Sequence, residues 1–212
     1  MKNTVLIICH ANISKAPRVL KQISALKDNY HLFVAGFNGH HIPNVHFVDL
    51  ARFKGREIRF TFHLRYPILL RKLISFFIKY FILFEFTSNQ KRKTQYWTDG
   101  KREELTHLSS LDFNLIITHH LNSLPLALRL AKGKSVPVIL NAHEYYPREF
   151  EENEKWLKEV QPIYEHYCKK VLPKIDQVFS VSKGIAAEYQ KEYGVTSVVI
   201  PNDKPFYENL YP

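Results

Sequence analysis

The chain has 212 residues, 45% apolar and 24% charged, which suits one domain with a sizeable core and excludes a disordered or fibrous protein. Its two cysteines, Cys9 and Cys168, fall in a predicted strand and a predicted helix, which excludes a disulfide framework and zinc spacing and points to a reducing compartment. The net charge of +10 is local: residues 52–102 hold 13 of the 30 Lys/Arg against three acids, and the remaining 17 basic residues are matched by 17 acidic ones.

The chain opens with a buried strand at Thr4–Cys9, too short for a signal-peptide core and without a cleavage pattern. HANISKAPR (10–18) is a polar turn, with Ser14 as the expected N-cap and Pro17 in the first turn of a helix. Val19, Leu20, Ile23 and Leu26 then recur at helical spacing. Tyr30–Phe37 and Val45–Leu50 read as the second and third strands, with His40 and His41 in a solvated turn between them.

The basic insertion at 52–102 follows. It holds 12 of the 29 aromatic residues, and at its centre lies YPILLRKLISFFIKYFILFEF (66–86). Arg71, Lys72, Lys79 and Glu85 interrupt that stretch, which makes it a poor transmembrane span. Two readings fit it and can coexist. One is an amphipathic helix lying on an anionic membrane surface; the other is a helix packed on the sheet with its basic flank in water. Nucleic-acid binding fits less well, because no recognition motif accompanies the charge. A shorter helix is expected near Tyr96–Leu108.

Beyond the insertion, Asn114–Thr118 is the fourth strand, and Ser123 and Pro125 open a helix that ends near Gly133. Val136–Leu140 is the fifth strand, running into a polar mouth of Asn141, His143 and Glu144. One long helix is expected next, with Trp156, Val160, Ile163, Tyr164, Tyr167 and Val171 as its apolar stripe. Acids at 149–154 lead it and Lys169, Lys170 and Lys174 close it, as the helix dipole favours. Gln177–Val181 is a strand, Ser182 caps the last helix, Gly194 ends it, and Thr196–Ile200 is the final strand. Strands alternating with crossover helices imply an α/β fold, a doubly wound parallel sheet of six or seven strands.

Such sheets bind ligands beyond the carboxyl ends of their strands. In the common order 3-2-1-4-5 the first and fourth strands are neighbours, so HANISKAPR (10–18) faces THHLNSLP (118–125), with NAHEYYPRE (141–149) beside them. These loops bring His10, Asn12, Arg18, His119, His120, Asn122, His143 and Glu144 toward one crevice, a set suited to a sugar or phosphate. Arg18 in a first helical turn favours anions, or is simply surface charge. His119 and His120, as strand neighbours, should face opposite sides, so one of them points at ligand. His143 and Glu144 could instead form a structural pair closing the strand end. Glu144 is the better candidate to take the proton of an acceptor hydroxyl. No His/Asp/Glu set has metal spacing. G-x-G-x-x-G, Walker and G-x-S-x-G motifs are lacking, which argues against dinucleotide enzymes, P-loop NTPases and α/β-hydrolases.

The order ISKAPRVLKQISAL, YHLFVAGF, FNLIITHH, PVILNAHEYYPRE, IDQVFSVSKGIAAEYQKEYG and VVIPND resembles the N-terminal half of GT-B, family-4-like retaining glycosyltransferases. The resemblance implies a Rossmann-like acceptor-binding domain over 1–202, and in 203–212 the start of a linker to a C-terminal donor-binding domain. Ile200–Asn202 resembles the crossing point. It also implies that His119 or His120 lies near the transferred sugar, positioning it by hydrogen bonds. No cofactor is implied beyond the nucleotide sugar, expected on the missing domain. The first loop departs from the family in lacking paired glycines against the donor phosphates. The donor half, with its acidic motif, is missing too, so the chain is either a fragment or one subunit of a two-subunit enzyme. The implied partners are a cell-envelope glycan or lipid-linked acceptor, the C-terminal domain, and an anionic membrane surface via 52–102. The implied location is cytoplasmic, peripheral at the inner membrane face. A non-catalytic Rossmann-like module that binds membrane or a partner is the rival reading.

Overall fold

Val5–Cys9 is apolar at every position because the strand it forms is covered on both faces; the five side chains are at most 1% exposed. In the computed structural model, which describes residues 3–53 and 102–202, this strand lies inside the sheet, third of seven, with a parallel neighbour on each side. The strands are β1 (Thr4–Asn12), β2 (His31–Phe37), β3 (Val45–Asp49), β4 (Leu115–His119), β5 (Val138–Ala142), β6 (Gln177–Ser180) and β7 (Ser197–Val199). They lie in the order β3-β2-β1-β4-β5-β6-β7, every neighbouring pair parallel. The helices among the described residues are α1 (Pro17–Leu26), α2 (Arg102–Ser109), α3 (Leu124–Lys134), α4 (Glu154–Glu159), α5 (Gln161–Val171) and α6 (Lys183–Tyr193).

Alternation along β1 splits the core in two. Leu6 and Ile8 pack with Leu108, Leu124, Tyr167 and Tyr189 from α2, α3, α5 and α6. Val5, Ile7 and Cys9 face the other way, onto Val19 and Ile23 of α1. Connections that run outward from β4 place their helices on the first face, as right-handed crossovers require. On the second face the described residues leave a groove of about 450 Å³ beside α1, lined among others by Val5, Arg18, Gln22, Ile117, Phe179 and Ile200. Asn202 spans to α1 there by accepting a hydrogen bond from Lys21 Nζ at 3.2 Å.

The expected parallel, doubly wound sheet is present with seven strands. Several local expectations are corrected. Ser14 does not cap α1: it lies in a 3-10 turn (Ile13–Lys15), donates its hydroxyl to the Asn38 carbonyl, and leaves Ala16 at the helix start, with Pro17 in the first turn as expected. The fifth strand begins two residues late, because Pro137 has no N–H to offer and Val138 N–H is taken by Asp176 Oδ2 at 2.7 Å. Asn141 is therefore a ladder residue, paired with His119 and Phe179, rather than part of the mouth. The long helix is two, broken at Val160 (φ −113°), and Pro162, two residues on, has no amide to donate back across the break. Asn153 caps the first of them, accepting from Trp156 N at 3.0 Å. Ser182 accepts from Ile185 N at 3.2 Å and Gly194 ends α6 at φ +67°, both as the sequence indicates. Gly36 is a glycine for space: a Cβ there would lie 2.5 Å from Ile13 Cδ1 and 2.9 Å from the Cys9 carbonyl. The helix expected near Tyr96–Leu108 is present from Arg102 onward as α2; its earlier residues, the helix expected at 66–86 and the linker at 203–212 fall outside the described residues.

Candidate functional site at the carboxyl edge of β1, β4 and β5

Three of the candidate histidines meet. His119, the last residue of β4, is fully buried under α1. Its Nδ1 lies 2.8 Å from His143 Nε2 and its Nε2 lies 2.6 Å from Oε1 of Gln22. His120 is the first residue past the strand and takes φ +71°, an uncommon backbone state for a residue with a side chain. That turn breaks the alternation expected of strand neighbours. Instead of pointing opposite ways, both rings reach His143: the centroids are 5.0 Å apart for His119 and 4.9 Å for His120.

Arg18 closes the group from the second residue of α1. Its Nη1 donates to the His143 carbonyl at 2.9 Å, tying the helix start to the loop after β5. The charge matters as much as the bond. Burial is the first cause that lowers the affinity of all three rings for a second proton, and the nearby Arg18 cation adds to it. His119 is held well below the usual histidine range, His120 is lowered, and His143 is lowered to about 3. At neutral pH the site is therefore three neutral imidazoles beside one guanidinium. Each neutral ring carries one donor and one acceptor, which suits hydroxyl-rich ligands.

His10 is placed differently. It lies on the opposite face of β1, with Nδ1 2.8 Å from Ser123 Oγ and Nε2 2.8 Å from Glu104 Oε2. Both partner side chains of the His10–Glu104 pair are under 10% exposed, at 8% and 7%. Ser123 in turn donates to the His119 carbonyl at 3.1 Å. His10 therefore fastens α2 and the turn before α3 to the end of β1, behind the histidine group rather than inside it. Its ring adds to the lowering at His120.

Asn12 ends β1 and pairs with Phe37 across a register shift. Its Oδ1 is buried and has no hydrogen-bond partner among the described residues. Asn122 sits in the 3-10 turn after His120, with Oδ1 3.4 Å from Ser123 Oγ. Glu144 has an exposed side chain, while its backbone carbonyl accepts from the buried Tyr189 hydroxyl at 2.9 Å. Glu149, five residues on, is partly buried; burial first and the Glu144 charge second raise its carboxyl.

Sequence reasoning passed over Gln22, Glu104, Ser123 as a ring partner, and Glu149. Gln22 follows Arg18 at a spacing of four, so both share one face of α1; that signal was legible once α1 is known to cover β4. Among the described residues no group of three His, Cys, Asp or Glu is arranged to hold a metal ion. No helix among them is long and apolar enough to cross a membrane.

Comparison with known proteins agrees with this architecture. Residues 18–202 match the sequence model of Glycosyltransferase Family 4. TcCGT1 in complex with UDP superposes with a TM-score of 0.52 at 9% identity, over 99% of this chain and 54% of that one. Sucrose-phosphate synthase from Thermosynechococcus elongatus superposes with a TM-score of 0.59 at 11% identity, over 94% of this chain and 48% of that one. At these identities the likeness is one of fold, and the chain spans about half the length of either structure. No curated protein matches it significantly in sequence.

Proposed function

The chain belongs to glycosyltransferase family 4, and from that membership we propose that it is the acceptor-binding half of an enzyme that transfers a sugar from a nucleotide sugar. The acceptor is a cell-envelope glycan or a lipid-linked saccharide, and the process polysaccharide biosynthesis. The observation that carries this reading is the neutral His119–His143–His120 group beside Arg18, at the carboxyl edge of β4 and β5. Neutral rings bind hydroxyls by donating and accepting at once, and they do so without the desolvation cost of a buried charge. In this reading Glu144, whose side chain is exposed just past β5, takes the acceptor's proton. The nucleotide sugar is held by a second domain, in the same chain or in a partner.

The test is a titration of the 212-residue chain followed by the ring signals of His120 and His143. Fragments of envelope polysaccharide should move both, whereas UDP-glucose should move them little. Tight binding of UDP-glucose with no response to any glycan would reverse the assignment of halves.

The basic insertion supports a peripheral place at the inner membrane face, where a lipid-linked acceptor would lie. Each Lys or Arg near an anionic surface contributes about 1 kcal/mol, so even a few engaged residues make binding measurable and salt-sensitive. The chain should co-sediment with liposomes containing phosphatidylserine, less so at high salt. Replacing Lys91, Arg92 and Lys93 together should weaken it. A chain that ignores such liposomes at low salt has its basic segment turned to water or to a protein.

A further inference from the structure

Gln22 takes no part in any reading above, yet it makes the shortest of the contacts to His119, at 2.6 Å. The atom facing the ring is Oε1, which can only accept. His119 must therefore donate from Nε2. A neutral imidazole has one N–H, so Nδ1 of His119 is then a bare acceptor. His143 Nε2 lies 2.8 Å from that nitrogen and must be the donor of the pair. His143 has in turn spent its only proton, and its Nδ1 is left with a lone pair.

We infer that Gln22 is a positioning residue which, through His119, fixes the tautomer of His143 and leaves His143 Nδ1 bare to accept a hydrogen bond from a ligand hydroxyl. The tautomer assignment stands on the contact geometry of the two neutral rings; the ligand hydroxyl rests on the reading of this edge as a saccharide site.

The surroundings hold the arrangement. His119 is fully buried, so no water competes for its ring nitrogens. His143 is packed between two rings, crossing His119 at 76° and His120 at 59°, which restricts its rotation. Arg18 is engaged with the His143 carbonyl rather than its ring. Among the described residues His143 Nδ1 has no hydrogen-bond partner. A reversed chain, with the Gln22 amide nitrogen donating, would present an N–H at His143 instead. The same site would then bind an acceptor atom rather than a hydroxyl proton. The direction of one amide two residues removed thus decides what the site asks of its ligand.

Tautomers of histidine are read directly by long-range proton–nitrogen correlation spectra of the 15N-labelled 212-residue chain, with rings assigned by single-histidine variants. The wild-type chain should show Nε2–H and bare Nδ1 at both His119 and His143. Gln22→Met removes the acceptor, and the His143 signals should change from a single tautomer to a mixture although Gln22 does not touch His143. Gln22→Glu keeps an acceptor at the same place and should keep the single tautomer; it also decides the matter if the methionine variant fails to fold. Nδ1–H at His119 in the wild-type chain overturns the inference, as does a His143 spectrum indifferent to Gln22→Met. No ligand or second domain enters this measurement, so its failure leaves the saccharide reading standing. Conversely, the predicted tautomers with no response of His143 to polysaccharide fragments would sink the saccharide reading alone.

Discussion

On the half-enzyme proposal, the 212-residue chain by itself should not transfer sugar. Departure of the nucleotide leaves charge on a diphosphate, and that charge must meet preorganised donors already in place. Each such donor is worth on the order of 10²–10³ in turnover, so an enzyme without its donor-binding half falls below detection. The described edge of this chain offers one guanidinium, Arg18, and its Nη1 is already committed to a carbonyl. The rest of the group is neutral, well matched to hydroxyls and poorly matched to a diphosphate. The two structures compared above are about twice as long. Radiolabelled sugar from UDP-glucose or another sugar nucleotide should remain unincorporated with the chain alone, over a range of envelope acceptors. Supplying the second α/β domain, fused after Asn202 or added as a separate chain, should produce transfer. Turnover from residues 1–212 alone would end the half-enzyme proposal, whatever the fold.

The sequence announces this fold through composition more than through any motif. Val5–Cys9 and, in the fourth strand, Ile116 and Ile117 are consecutive apolar residues because parallel strands inside a sheet are buried on both faces. Crossover segments between such runs leave few arrangements. What was not legible depended on partners distant in sequence. Glu104 meets His10 across 94 residues and Gln22 meets His119 across 97, and no local pattern marks either pair. His120 was misread because a positive φ one residue past a strand end undoes the alternation rule, and nothing in His-His announces it. Pro162, by contrast, was visible. The strong stripe of Trp156, Tyr164 and Tyr167 masked its meaning, since a break of one residue hardly disturbs the phase of the stripe. Ser14 lost its capping role to a tertiary bond with the Asn38 carbonyl, which only the β1–β2 register could reveal.

The placement of the two histidines decides which substitution should silence the enzyme. His119 is fully buried and both ring nitrogens are engaged inside the protein, so it cannot itself touch a sugar without giving up a partner. His120 is only partly buried and its ring packs on His143. In the two-domain enzyme, His120→Ala should therefore cut turnover with little loss of stability. A side chain that hydrogen-bonds or moves a proton at the reacting group is worth about 10²–10⁴-fold. Glu144→Gln should cost a similar factor if its carboxylate takes the acceptor's proton, again with stability unchanged, since its side chain is exposed. His119→Ala should behave differently. It orphans Gln22 and His143 Nε2 in a buried space, at about 1–3 kcal/mol for each group left unpaired. For a domain of this size that lowers the melting temperature by roughly 2–4 °C per kcal/mol. Its loss of activity should follow from His143 losing its fixed tautomer. Melting curves and single-turnover rates on the three variants separate these outcomes. Equal destabilisation by His119→Ala and His120→Ala would mean that both rings are packing residues. Full turnover in both His120→Ala and Glu144→Gln would move the chemistry away from this edge of the sheet, with the family membership untouched.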